Sequence, residues 1–191
     1  LLDIIADSRC DIEQINNIQG KVSLQISYPI ISDVLLLSKA RKNVEKIMST
    51  ILGKDVVFRM QNRSVGSRRF SICDSVGNVI VPSLDSLSTG QMALFSLFTT
   101  IVRYADYNDI NTSFNLDKIQ GIVLIDEIDL HLHSKLQRTV LPKLMILFPK
   151  VQFILTTHSP LVLLGLNEYY KESVDIIEMP YGNYISVEQF K

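Results

Sequence analysis

Long apolar runs are missing from this 191-residue chain. The longest, such as Leu161 to Leu166, fall far short of the roughly 18 residues a membrane helix needs, so contact with a membrane by that route is excluded. Cysteine is scarce as well. Cys10 and Cys73 are the only two, too few for a disulfide framework. They read as inert thiols in a reducing, cytoplasmic setting. Neither sign of charge dominates, since 19 Lys and Arg face 20 Asp and Glu for a net charge of -1. That excludes a globally basic coat for nucleic acid and leaves a local basic face open. Repeats, low-complexity tracts and Pro/Gly linkers are absent. The opening residues, LLDIIADSRC, have no basic stretch ahead of their apolar positions. They do not read as a signal peptide, and the expectation is that they come from the interior of a longer protein. With 47% hydrophobic and 20% charged residues, the composition rules out disorder as the main state and fits one domain with an ample core.

What is present falls into two regions. Residues 1–85 read as strands plus one helix. Lys21 to Ile30 alternates, with Val22, Leu24, Ile26, Tyr28 and Ile30 on one face, as a half-buried strand does. A helix capped by Ser32 or Asp33 should run to Leu52 and end at Gly53, with a basic surface of Lys39, Arg41, Lys42 and Lys46. Asp55 to Met60, Arg69 to Asp74 and Asn78 to Val81 read as short strands. Ser75-Val76-Gly77-Asn78 supplies a hairpin turn between the last two.

Residues 86–191 differ in character. Ser88 to Tyr107 is apolar on most sides and should be a buried helix. Gly121 to Ile125 and Val151 to Leu155 are unbroken apolar runs, the pattern of parallel strands covered on both faces. The first ends in Asp126-Glu127 and the second in Thr156-Thr157-His158. Between them lies a helix over Ser134 to Phe148 that Pro142 should kink. The unit should be a right-handed crossover. Pro160 to Leu166 begins another helix, and Val174 to Met179 with Tyr184 to Val187 reads as a closing strand pair.

Ligands of open parallel sheets bind beyond the carboxyl ends of the strands, where this chain places an acid pair and a histidine. Ser88, Thr89 and Gly90 open the buried helix, and bare N–H groups at a helix start suit an anion. Together these suggest phosphate chemistry with a metal ion. The wording of the motifs carries a family resemblance. Leu87-Ser88-Thr89-Gly90-Gln91 resembles the signature motif of ABC-type ATPases. Ile122 to Glu127 resembles their Walker B strand with its following glutamate. Asp129 stands at the D-loop, and Thr157-His158-Ser159-Pro160 resembles the switch-histidine segment. The phrases DEIDLHLH, QRTVLPKL and FILTTHSPLVL are closest to the AAA-like subgroup that contains OLD-type proteins and Septu-type and retron-associated anti-phage ATPases. A strand hairpin ahead of the signature, Arg69 to Val81, resembles that subgroup too.

The resemblance implies an α/β fold with a P-loop NTPase-like parallel sheet flanked by helices, the C-terminal lobe of an ABC-type ATPase head. A small antiparallel β/helix region precedes it. It further implies a homodimer with ATP and Mg2+ between the subunits, acting as a switch on a nuclease in anti-phage defence. Asp126 would hold the magnesium ion and Glu127 would polarise the attacking water. His158 would contact the γ-phosphate. Ser88, Thr89, Gly90 and Gln91 would meet ATP held by the partner, and Asp129 would couple the two sites. The departure is the G-x-x-x-x-G-K-[ST] phosphate loop, which occurs nowhere in residues 1–191. A Q-loop glutamine is not recognisable either. The reading is therefore the C-terminal part of a head, which alone should not hold ATP. A paralogue that has lost nucleotide binding is the alternative.

Blander readings stand beside these. Leu87 to Gln91 alone is a common helix cap, and an acid pair can simply end a strand in solvent. His131 and His133, with His158 and Asp126, could bind zinc or manganese, although packing and hydrogen bonding near a dimer interface is the preferred reading. Lys54, Arg59, Arg63, Arg68 and Arg69 could touch DNA or RNA phosphates or form a solvated strand edge. The competing functions are an SMC/repair-type chromosome ATPase head, a non-catalytic dimerisation module, a transporter ATPase and a metal-dependent phosphoesterase.

Overall fold

A computed structural model describes residues 11–18, 21–27, 31–60, 70–108, 115–170 and 173–186, with side chains over 39–59, 70–105, 115–170 and 173–186. Strands β1 (Asp11–Ile18) and β2 (Lys21–Ser27) form an antiparallel hairpin. Helix α1 (Ile31–Leu52) follows. It already includes Ser32 and Asp33, so neither is its cap. Gly53 ends it with a φ of 68°, the left-handed conformation that glycine adopts without steric cost. Tyr28, Ile30, Arg63, Arg68, Arg69 and Cys10 lie outside the described residues.

Strands β3 (Val57–Met60), β4 (Phe70–Cys73) and β5 (Val79–Val81) make a three-stranded antiparallel sheet. The expected turn joins β4 to β5. Asp74 organises it, its carboxylate accepting from the backbone N–H of Gly77 at 2.7 Å and of Asn78 at 2.8 Å, and from Asn78 Nδ2 at 2.9 Å. The basic face of α1 is partly spent inside the fold. Arg41 pairs with Glu45 at 2.9 Å and donates to the Phe58 carbonyl at 2.6 Å, tying α1 to β3.

Helix α2 (Thr89–Asn108) is the buried helix the sequence predicts, with Leu94, Phe95, Phe98 and Val102 in the core. It is followed by β6 (Gln120–Ile125), a π-helical turn at Leu136–Val140, α3 (Leu141–Ile146) and β7 (Lys150–Leu155). Pro142 has no N–H to give the Arg138 carbonyl, and the wide turn accommodates that loss. The freed backbone at Arg138 lies against Gly165 of α4 (Pro160–Tyr170), so closely that a β-carbon there would collide with it. Arg138 and Glu168 close the same junction as an ion pair. A short hairpin, β8 (Ile177–Glu178) and β9 (Asn183–Tyr184), ends the described chain.

Strands β6 and β7 pair in parallel, from Gln120 opposite Lys150 to Ile125 opposite Leu155. One face, including Val123, Ile125, Phe153 and Leu155, packs on the common core with α1, α2, α3 and α4. Phe98 of α2 anchors it, its ring centroid 5.7 Å from Phe148 and 6.2 Å from Phe153, as tilted aromatic pairs prefer. On the other face Ile122, Leu124 and Ile154 are 65%, 74% and 51% exposed. Their apolarity predicts cover on both faces, and among the described residues helices lie on one side only.

Candidate functional site

The parallel register sets up the site. Asp126 and Thr156 are each one residue past the end of a paired strand, so the two loops leave the sheet side by side. Thr156 Oγ1 donates to Asp126 Oδ1 at 2.5 Å and accepts from the Glu127 backbone N–H at 2.8 Å. The Ile128 N–H reaches the Thr156 carbonyl at 3.0 Å. One residue further along β7's loop, Thr157 Oγ1 donates to Asp129 Oδ1 at 2.6 Å, and the His158 N–H donates to the same oxygen at 3.2 Å. Burial pulls the Asp129 carboxyl upward. The Thr157 hydroxyl, the backbone N–H groups and the charge of His158 outweigh it and hold the group below its ordinary value of 3.8.

Two residues of the acid loop adopt left-handed backbone conformations without being glycine, Glu127 with φ 50° and His131 with φ 62°. Such residues store local strain and gather at functional sites. Glu127 and His158 both present exposed side chains at this end of the sheet, as does Asp126.

The signature-like segment meets the same loop. Ser88 and Gln91 form a capping box. The Ser88 N–H donates to Gln91 Oε1 at 3.0 Å, and the Gln91 N–H donates to Ser88 Oγ at 3.3 Å. The Met92 N–H takes the Ser88 carbonyl at 2.9 Å, and Thr89 and Gly90 are the first-turn residues for whose N–H groups the helix itself offers no acceptor. Gly90 is buried, and a β-carbon on it would stand 2.7 Å from the His131 carbonyl oxygen. The helix start, the acid loop after β6 (Asp126 to Leu132) and the loop after β7 (Thr156 to Ser159, the switch loop of the resemblance) are therefore contiguous.

The bland reading of Leu87 to Gln91 as a cap is thus realised, while Ser88 and Thr89 stay exposed. His131 and His133 are both exposed. Among the described residues no three His, Cys, Asp or Glu side chains gather to hold a metal ion. Arg59 is folded over the β4–β5 turn beside Gly77 rather than standing free. Sequence reasoning missed Thr156, Thr157, Ser159 and Gln137 as bonding partners. The run of three hydroxyl residues around His158, directly after a strand, was the available signal.

Several known proteins are similar to this chain in sequence. "Retron Vc95 probable ATPase" of Vibrio cholerae serotype O1 biovar El Tor is 49% identical over 81 residues, 42% of this chain and 16% of its own length. "Retron Ec83 probable ATPase" of Escherichia coli is 44% identical over 85 residues, 44% of this chain and 16% of its own. "Septu protein PtuA" of Bacillus mycoides (strain KBAB4) is 45% identical over 83 residues, 44% of this chain and 11% of its own. The chain thus spans about a sixth or less of these relatives. Among solved structures, one described as "Structural biochemistry of ATP-driven dimerization and DNA stimulated activation of SMC ATPases" aligns over 82% of this chain and 91% of that chain, with a TM-score of 0.46 and 16% identity. A family profile matches residues 36–164, more than half of the sequence, and the chain belongs to that family, described as "AAA domain, putative AbiEii toxin, Type IV TA system".

Proposed function

We propose that this chain forms part of an ATP-hydrolysing switch that dimerises around ATP and controls a nuclease partner in anti-phage defence. The observation that carries the reading is the pairing of the two loops. Asp126, Glu127 and Asp129 on one are tied through Thr156, Thr157 and the His158 backbone to the other, with a capped helix start against the same turn. A merely solvated strand end has no need of four such bonds. The kinship with the retron and Septu proteins supports the defence setting, and the missing phosphate loop is assigned to protein outside residues 1–191.

The donor set suits a hard cation. An exposed carboxylate with a hydroxyl beside it offers oxygen ligands, which magnesium requires, so Asp126 would hold it. The ion's contribution is to neutralise charge on the phosphate oxygens. Glu127 takes the proton of the attacking water, and its backbone N–H bond to Thr156 fixes where its carboxylate leaves the chain. His158 donates to the terminal phosphate and reports its presence to Asp129. Ser88, Thr89 and the Gly90 N–H donate to phosphate oxygens of ATP held by a partner subunit, oriented by the dipole of α2. Gln91 acts through its cap on Ser88.

The test is phosphate release by the full-length protein. Glu127→Gln keeps the shape of the side chain and loses the base. Hydrolysis should fall on the order of 10² to 10⁴ while ATP binding persists in a trapped dimer visible by gel filtration. Turnover equal to the parent's would remove Glu127 from this role.

A further inference from the structure

The hydroxyl residues after β7 do not all bond to the acid loop directly. Thr156 and Thr157 reach Asp126 and Asp129, but Ser159 turns the other way. Its Oγ donates to Gln137 Oε1 at 2.5 Å and accepts from the Leu161 N–H at 3.2 Å, at the start of α4. The same Gln137 amide donates from Nε2 to the Leu132 carbonyl at 2.7 Å and approaches the Asp129 carbonyl at 3.5 Å. Carbonyl oxygens only accept, so the Nε2 end faces the acid loop and the Oε1 end faces Ser159. Gln137 stands on the π-helical turn, and its half-buried amide spans both loops at once.

We infer that Gln137 is a positioning residue that locks the Asp129–Leu132 turn and the Ser159 end of the switch loop into one arrangement, so that Asp129 and His158 shift only together. The inference rests on the reading of this site as an ATPase and adds to it a residue that touches no nucleotide. Beyond the bonds of Thr156 and of the His158 N–H, two side-chain links flank His158, Thr157 to Asp129 on one side and Ser159 through Gln137 to Leu132 on the other. Between them lies His158. A displacement of its imidazole by a phosphate is transmitted rather than absorbed because both flanks are held. The held turn also carries the His131 carbonyl that lies against Gly90, so the start of α2 belongs to the same unit.

The chemistry picks the test variants. In Gln137→Glu an ionised carboxylate, which only accepts, would face the Leu132 and Asp129 carbonyls. Ser159→Ala removes the other end of the link without changing Gln137. Hydrogen exchange on the nucleotide-free full-length protein reads the link without activity. The segments 129–132 and 159–162 should both exchange faster, by about tenfold, in each variant. In steady-state hydrolysis each variant should lower kcat on the order of 10² and leave KM for ATP unchanged, and the double variant should cost no more than either single one. Faster exchange in only one of the two segments would overturn the link, as would additive losses in the double variant. If the parent protein hydrolyses no ATP, the proposed function fails, and hydrogen exchange still decides whether Gln137 joins the loops.

Discussion

The backbone of Gly90 lies against the carbonyl oxygen of His131, with room for a hydrogen and none for a methyl group, since a β-carbon there would be 2.7 Å from that oxygen and 2.9 Å from Leu136 Cδ1. Replacing a helical glycine with alanine ordinarily stabilises by roughly 0.5–1 kcal/mol. Here the sign should reverse. Gly90→Ala is expected to lose about 1–3 kcal/mol, as overpacked positions do, because a backbone carbonyl cannot rotate aside. Urea unfolding of this variant checks it, and a gain in stability would mean that α2 and the acid loop are not packed as described.

Why this contact escaped sequence reasoning, while its neighbours did not, is a matter of range. Strands β6 and β7 were legible because each is an unbroken apolar run ending in polar residues, and their ends fall within a residue or two of those expected. The Ser88–Gln91 box was legible as a local pattern of four residues. Gly90 meets His131 through the packing of α2 on the sheet, and Gln137 meets Ser159 through the crossover, so both join positions far apart in sequence. The left-handed conformations of Glu127 and His131 leave no trace in composition, since neither is glycine. The uncovered face is a separate matter: Ile122, Leu124 and Ile154 have the apolarity of covered residues, and among the described residues no helix lies over them.

Asp129 gives a prediction in pH. Its folded value lies below the ordinary one, so its bonds to Thr157 and His158 contribute stability that is complete above the unfolded carboxyl value of about 3.9. That contribution is lost as pH falls through the lower folded value. Thr157→Val removes the hydroxyl and keeps the shape. The Asp129 carboxyl should then titrate closer to the ordinary range, leaving burial as the larger remaining influence. Carbon-detected NMR titration of the side-chain carboxyl measures this, and an unmoved midpoint would show that Thr157 does not hold it.

His131 yields a stability gain. A side-chain-bearing residue in the left-handed region costs roughly 1–2 kcal/mol, and glycine's larger unfolded-state entropy offsets about 0.5–1 of that. The imidazole is exposed, so little packing is lost on removing it. His131→Gly should therefore stabilise by up to about 1.5 kcal/mol, whereas His131→Ala should not. Thermal unfolding of the pair decides between backbone strain and a hidden role for the ring. A loss in both variants would point to the ring.

Ser88 separates capping from catalysis. Ser88→Ala deletes the hydroxyl that caps the helix and would donate to phosphate, and should cost about 0.5–2 kcal/mol of stability, with hydrolysis lowered but not abolished because the N–H groups of Thr89 and Gly90 remain. Ser88→Arg loses the same cap and also places a long cation at an exposed helix start, where it should block the partner's phosphate and abolish hydrolysis without unfolding the subunit. The comparison matters because equal stability loss in both variants, with activity lost in only one, assigns the defect to the interface. Mixing then tests geometry. On the proposed function, Glu127 would act on the ATP of its own subunit and Ser88 on that of its partner. In a dimer of Glu127→Gln with Ser88→Arg, both lesions therefore fall in one composite site, and the other site is intact. Two inactive homodimers should thus yield a mixed dimer that still closes on ATP in its intact site, and that turns over if the sites fire independently. Nucleotide occupancy of the purified mixed dimer is the firmer readout, since obligatory coupling would silence turnover but not binding. Parent-like binding and hydrolysis by Ser88→Arg homodimers would show that the start of α2 meets no partner's phosphate, leaving Ser88 and Gln91 as a helix cap alone.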